Sequence, residues 1–209
     1  MPYLPHLLAL AGIWVLVVMS PGPDFVVTVS RAAASRRAGL AAAAGIVVGT
    51  AIWASASVAG LGLVLAHYRW VAEVIRLLGA GYLTWLGFWM IVRSRQAIPV
   101  AAPAPEALGT VPRLGPAWRA GLLADLGNPK AAVFWTSLFA VVLPPAAPVW
   151  VRGSAVAVAV LIAAAWYSAV ACAFSLAVIA AVYRRAKTWV DRVTGGVLIG
   201  LAARLATEH

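Results

Sequence analysis

The chain has 209 residues, 64% of them hydrophobic and 11% charged, with a mean hydropathy of +0.94. That composition excludes an ordinary soluble domain, and the net charge of +10 does not signal nucleic acid, because the basic residues fall between apolar segments where topology signals lie. The fold class read from it is an all-α integral membrane protein, one transmembrane domain over residues 1–209 surrounded by membrane lipid, since about 20 apolar residues make one crossing and the length allows six.

The opening residues lack the basic segment and cleavage site of a secretory signal, so the apolar run from Leu7 is read as a retained first span. Span 1 covers about residues 7–30 and is interrupted by Ser20-Pro21-Gly22-Pro23-Asp24; Arg31, Arg36 and Arg37 follow it. Span 2, about 40–66, is uncharged and carries Gly45-Ile46-Val47-Val48-Gly49, a small-residue spacing that lets helices approach closely. A short connection with His67, Arg69, Glu73 and Arg76 leads to span 3, about 77–92. Residues 94–117 hold prolines 99, 103, 105, 112 and 116 and read as an irregular cytoplasmic linker. Span 4, about 120–143, is interrupted by Gly127-Asn128-Pro129-Lys130. Span 5 lies within the uncharged stretch 153–183, and span 6 covers about 193–206. The lone cysteine, Cys172, rules out an intrachain disulfide.

The segments after spans 1, 3 and 5 carry eleven Lys and Arg residues, those after spans 2 and 4 only three, which places the first set in the cytoplasm and both termini outside. Three spans in each half make the halves inverted repeats, about 1–93 and 118–209, a recurring transporter plan. Both first spans carry a proline break, and both third spans are entered through Arg-x-x-Gly, at Arg76 and Arg192. Against strict symmetry, Pro23 and Pro129 both lie toward the cytoplasmic side.

Proline removes a backbone donor, and at membrane depth the freed carbonyls need other partners, so such breaks face protein or a water-filled cavity. The half-helix after Pro23 can turn amide N–H groups toward a carboxylate, while the carbonyls before Pro129 can accept from an ammonium group; together they suit a zwitterion. Helical rise puts Asp24 about 10 Å inside its boundary, Asp125 about 9 Å and Lys130 about 16 Å. Charges at such depth are functional candidates, although Asp24 or Asp125 paired with Lys130 could instead merely lock spans 1 and 4 together. Either carboxylate could exchange a proton with the cytoplasm; equally, Asp125 could sit near the interface and keep its charge.

His6, His67 and His209 have no Cys, Asp or Glu at ligand spacing, so no metal or cofactor is expected. The serines inside spans have no membrane-embedded histidine partner, which argues against an intramembrane protease. Trp70, Trp118, Trp150 and Trp189 fall at span boundaries and read as interfacial anchors, while Trp53, Trp85, Trp135 and Trp166 lie deeper, in helix packing or lining a pore.

Ser20-Pro21-Gly22-Pro23-Asp24-Phe25, Arg36-Arg37-Ala38-Gly39-Leu40, Gly45 to Gly49 and Leu78-Gly79-Ala80-Gly81-Tyr82-Leu83-Thr84-Trp85-Leu86-Gly87 resemble the first half of the LysE/RhtB superfamily of amino-acid exporters. Asn128-Pro129-Lys130-Ala131-Ala132-Val133-Phe134-Trp135 and Gly195 to Leu201 resemble its second half. The resemblance implies a six-helix inner-membrane exporter, not an enzyme, that moves amino acids or close derivatives out of the cytoplasm against the proton motive force, with protons as coupling ion. The family positions carried over are Pro21, Gly22, Pro23, Asp24, Asn128, Pro129 and Lys130. Two departures bear on substrate. Thr50 stands where many relatives have an acidic residue after the second glycine of span 2, which weighs against a cationic amino acid, and span 4 ends Leu143-Pro144 in place of a Pro-Gln-Phe pattern. The alternative is a non-transporting membrane scaffold or assembly subunit. Glycine- and alanine-rich faces permit a homodimer.

Overall fold

A computed structural model describes residues 3–67, 69–96, 113–144, 146–174 and 177–207. Among them are eight helices and no strand: α1 Leu4–Met19, α2 Pro23–Ala34, α3 Arg36–His67, α4 Arg69–Arg93, α5 Leu114–Leu126, α6 Pro129–Val142, α7 Val149–Ala173 and α8 Ala177–Thr207. Two are long and apolar enough to cross a membrane, α7 and the Arg36–Gly60 part of α3. The α1–α2 pair makes a third such span, bent by 56° at its break, and shorter apolar stretches occupy Leu77–Arg93 and Val133–Val142. The protein is an all-helical membrane protein.

The first break follows from its prolines. Ser20 and Gly22 each precede a proline, and both are extended, at φ/ψ of −74/131° and −128/−170°, because the proline ring crowds the preceding residue out of the helical region. Pro23 then opens α2, where its missing N–H costs nothing, and Asp24 sits in the first turn, favourably placed against the helix dipole. Ser35, extended at φ −163°, accepts a bond on its hydroxyl from the Ala38 amide at 3.0 Å and so caps α3. In the second half, α5 ends at Leu126 and Pro129 opens α6 by the same rule.

α3 is the centre of the packing, lying against α2, α5, α6 and α7, while α4 packs on α8 and α6, and α1 on α7 and α8. Small residues set the closest crossings. A Cβ on Gly45 would run into the carbonyl of Trp118, and one on Gly121 into the carbonyl of Ala42, so the α3–α5 crossing depends on both. At the α4–α8 crossing a Cβ on Gly87 would lie 2.5 Å from the Gly195 carbonyl oxygen, and one on Gly195 2.5 Å from that of Gly87. α7 buries a stripe at four-residue spacing, Val151, Ala155, Ala159, Ala163 and Tyr167, and Trp14 of α1 donates its indole N–H to the Ala159 carbonyl at 3.0 Å. The core between α1 and α6 is aromatic: the rings of Trp14 and Trp135 lie 4.6 Å apart and those of Trp135 and Phe139 5.4 Å.

The structure moves four boundaries. Span 5, expected within the uncharged stretch 153–183, is α7, which starts earlier, at Val149, and stops at Ala173, where Phe174 turns out of the helix, its ring 5.2 Å from that of Phe25. α8 starts at Ala177, well before residue 193, and takes in the basic residues expected in a loop; Lys187 and Asp191 pair across one turn within it. The connection at 67–76 is helical on both sides of residue 68. Of the linker 94–117, residues 97–112 lie outside the described residues, and α5 already begins at Leu114, its Pro116 tolerated in a first turn that has no internal amide acceptors. Trp118, Trp150 and Trp189 are exposed, as boundary tryptophans should be.

Candidate functional site

α2 lies against α3, α5 and α7, whereas α4 lies against α6 and α8. Between these groups is a cavity of about 720 Å³, a size typical of ligand sites. The break in the first span forms one side of it, through Ser20, Pro21, Gly22 and Pro23, with Val26 and Val27 a turn further along α2. The other side comes from α4 (Trp85, Leu86, Trp89, Met90, Arg93) and from Lys187 and Asp191 of α8.

Accounting for the carbonyls that the break releases leads to α8. The Ser20 amide bonds to the Val17 carbonyl at 3.1 Å instead of continuing the helix, which leaves the carbonyl of Leu16 without its usual donor. Thr194 supplies one, its hydroxyl lying 3.1 Å from the Leu16 oxygen and 2.8 Å from that of Val190. One turn earlier, Asp191 accepts from the Ser20 hydroxyl at 2.8 Å and from Lys187 Nζ at 2.8 Å. Lys187 Nζ also donates to the carbonyls of Ser94 at 3.1 Å and Arg93 at 3.4 Å, and the Thr188 hydroxyl to Ser94 at 3.2 Å. One polar face of α8 thus serves the exposed carbonyls at the ends of both α1 and α4. Lys187 and Asp191 are buried, their side chains 10% and 6% exposed, and such a charge pair needs its remaining hydrogen-bonding capacity met to be tolerated. Here the two carbonyls and the serine hydroxyl meet much of it.

The other sequence-derived candidates are not among the residues that line this cavity. Pro21, Gly22 and Pro23 line the cavity, but Asp24 is not among its lining residues; its helix α2 packs against α5, which carries Asp125. Asp125 is 3% exposed. Its carboxylate is pressed against Gly49, where a Cβ would collide with Oδ2, and that oxygen has no hydrogen-bond partner among the described residues. Pro129 deprives the Asp125 carbonyl of its helical donor. The Trp53 indole N–H takes that place at 3.2 Å, and the Asn128 amide adds a bond at 3.1 Å. This carbonyl is therefore not open to an ammonium group, and Trp53, read as a packing residue or pore lining, is a hydrogen-bond donor to the break. Asn128 sits at the break with its carbonyl accepting from the Ala131 amide at 2.9 Å. The side chains of Pro129 and Lys130 lie outside the described residues.

The structure thus brings Pro21, Gly22 and Pro23 to the cavity and leaves Asp24 and Asp125 out of its lining. Ser20, Trp89, Arg93, Gln96, Lys187 and Asp191 are cavity residues that reading the sequence for site chemistry passed over. Their signal was present: Lys187 and Asp191 stand four apart with Thr188 beside them in a segment read as a loop, and Thr194, at the start of the span expected from about 193, continues the same polar stripe at helical spacing.

A bent span with a cavity at its break, in an all-helical membrane protein, is the architecture of a membrane transporter. The family model for LysE type translocators matches residues 15–209, and the chain belongs to that family, which consists of transporters and not enzymes. It is 30% identical over 199 residues to the threonine efflux protein of Escherichia coli strain K12, covering 95% of this chain and 96% of that one. It is 31% identical over 202 residues to the uncharacterized membrane protein YahN of the same strain, covering 94% and 87%, and 32% identical over 131 residues to the leucine efflux protein of Klebsiella pneumoniae, covering 60% and 57%. No solved structure matches the chain.

Proposed function

We propose that the protein is a secondary transporter that exports amino acids or close derivatives from the cytoplasm across the inner membrane, driven by protons. The observation that carries this reading is the match, over 95% of the chain, to a protein named for threonine efflux. The cavity at the Pro-Gly-Pro break then takes the amino acid, from the side that the excess of Lys and Arg marks as cytoplasmic, and both termini face outside. The substrate or coupling-ion set also takes in Asp24, Asp125, Asn128, Pro129 and Lys130, the carboxylates of Asp24 and Asp125 being the groups that exchange the proton. Pro21, Gly22 and Pro23 form the wall of the cavity at the break.

The organisation proposed is one transmembrane domain of six spans in two inverted halves, residues 1–93 and 118–209, joined by a cytoplasmic linker. What supports it is correspondence in packing. α3 lies on its counterpart α7 and α4 on its counterpart α8; α3 with α5 corresponds to α7 with α1, and Gly87 and Gly195 abut each other reciprocally. Exposed apolar side chains such as Leu8, Leu123 and Leu161 suit lipid or a second copy of the chain.

The test is counterflow in proteoliposomes against neutral, basic and acidic amino acids, with and without an imposed pH gradient. Saturable exchange of at least one amino acid, accelerated by the gradient, is the expected result. Silence across the whole panel would favour a non-transporting scaffold.

A further inference from the structure

The α4 side of the cavity has a chemistry of its own. Trp85, Trp89 and Arg93 recur at four-residue spacing and so lie on one face of the helix; the two indole rings are 6.4 Å apart, and the Arg93 guanidinium stands 4.5 Å from the centre of the Trp89 ring. Among the described residues no carboxylate lies within ion-pair distance of Arg93. Its backbone carbonyl is nevertheless 3.4 Å from Lys187 Nζ, which is 2.8 Å from Asp191, and Arg93, Lys187 and Asp191 all line the same cavity. Asp191 spends one acceptor position on Ser20 and one on Lys187, and a carboxylate offers about four. The cavity therefore presents a planar cation without an acidic partner and a fixed carboxylate with acceptor capacity to spare. Apart from Gln96, three residues beyond Arg93, and Ser20, the rest of the lining is predominantly apolar, with Trp85, Leu86, Met90, Val26 and Val27.

We infer that this wall binds the zwitterion of an amino acid with a bulky, uncharged, apolar side chain. The carboxylate takes the Arg93 fork, where two parallel N–H···O bonds fix its plane, the ammonium group donates to Asp191, and the side chain lies along Trp85 and Trp89. The inference rests on the transporter reading and narrows its substrate. Arg93 and Lys187 against Asp191 leave the cavity lining net positive, which repels a basic side chain, and a second carboxylate would have to be buried against the apolar wall at a large cost. A side chain as small as that of threonine leaves the aromatic face uncovered and forgoes roughly fourfold in affinity per methylene not buried.

The test is ligand-induced thermal stabilisation of the purified full-length protein by L-leucine, L-phenylalanine, L-threonine, L-lysine and L-glutamate, run beside counterflow with the same five. Leucine and phenylalanine are expected to bind at least about tenfold more tightly than the other three. Arg93→Gln, at an exposed position that should not disturb folding, is expected to weaken their binding at least about tenfold, with Arg93→Lys recovering part of it. Trp89→Leu should weaken phenylalanine more than leucine. Threonine, lysine or glutamate binding as tightly as leucine would overturn the inference, as would an Arg93→Gln protein that keeps the parent's unfolding midpoint and binds like the parent. If any amino acid is exchanged in counterflow while these preferences are absent, the transporter reading stands and this inference falls; if none is bound or exchanged, both fall.

Discussion

Removing one member of the Lys187–Asp191 pair should cost nearly as much stability as removing both. In Asp191→Asn the Lys187 ammonium stays charged in a place where its side chain is only 10% exposed, and it exchanges a carboxylate 2.8 Å away for a neutral amide. Losing a charge-assisted bond of this kind costs about 1.5–3 kcal/mol, and stripping one partner from a fully buried ion pair about 3–5 kcal/mol. The lower range applies, because Lys187 keeps the Ser94 and Arg93 carbonyls and the pair borders a cavity, so a loss of about 2–3 kcal/mol is expected. Lys187→Met should lose a similar amount, since it leaves the carboxylate with Ser20 and abandons the end of α4. In Lys187→Met/Asp191→Leu no charge remains to be buried, and the loss should fall short of the two single losses combined by at least about 1 kcal/mol. Unfolding free energies of the four proteins in mixed micelles close the cycle. Additivity within about 0.5 kcal/mol would refute the coupling, and with it the view of α8 as the helix that secures the ends of α1 and α4.

Three further perturbations probe the fold around the site. Gly87→Ala places a methyl 2.5 Å from the Gly195 carbonyl oxygen and should push α4 off α8 at a cost of about 1–3 kcal/mol; the same unfolding titration reads it, and wild-type stability would contradict the crossing. Trp135→Ala removes the largest fully buried side chain among the described residues and should cost about 3–5 kcal/mol, seen as a lowered midpoint in thermal unfolding. Trp53→Phe keeps a ring but withdraws the indole donor from the Asp125 carbonyl, for which a loss of about 1 kcal/mol is expected and an unchanged unfolding free energy would show that the bond contributes nothing.

Physical reasons decide which features could be read from the sequence. Both helix breaks were legible, because the effect of proline is local: Ser20 and Gly22 are extended since each precedes a proline, and α2 and α6 both begin on one. The close approach expected at Gly45 and Gly49 is present too, and both face α5. The end of α7 was not legible. Nothing in the uncharged run marks Ala173, and the chain turns there where Phe174 meets Phe25 of a distant helix. The same holds for the cavity. Its near wall is the proline break, but its far wall depends on which helix stands opposite, and α4 with α8 stand there because Gly87 and Gly195 let them touch. Lys187 looked like a topology signal because basic residues at span ends usually are, and the hydrogen bonds that bury it come from residues more than ninety positions away. The Asp125 carbonyl was correctly read as released by Pro129, yet its new donor is a tryptophan 72 residues distant.

The most direct test of the central claim, that this chain exports amino acids through a proton-coupled site at its two helix breaks, is efflux of amino acids from loaded vesicles by the parent, Asp24→Asn and Lys130→Ala proteins at matched amounts. The parent should release at least one amino acid faster than empty vesicles and respond to a pH gradient, and both variants should insert, fold and lose most of that gradient-driven release. Variants that fold and release every tested amino acid at the parent's rate, with the same response to pH, would contradict it.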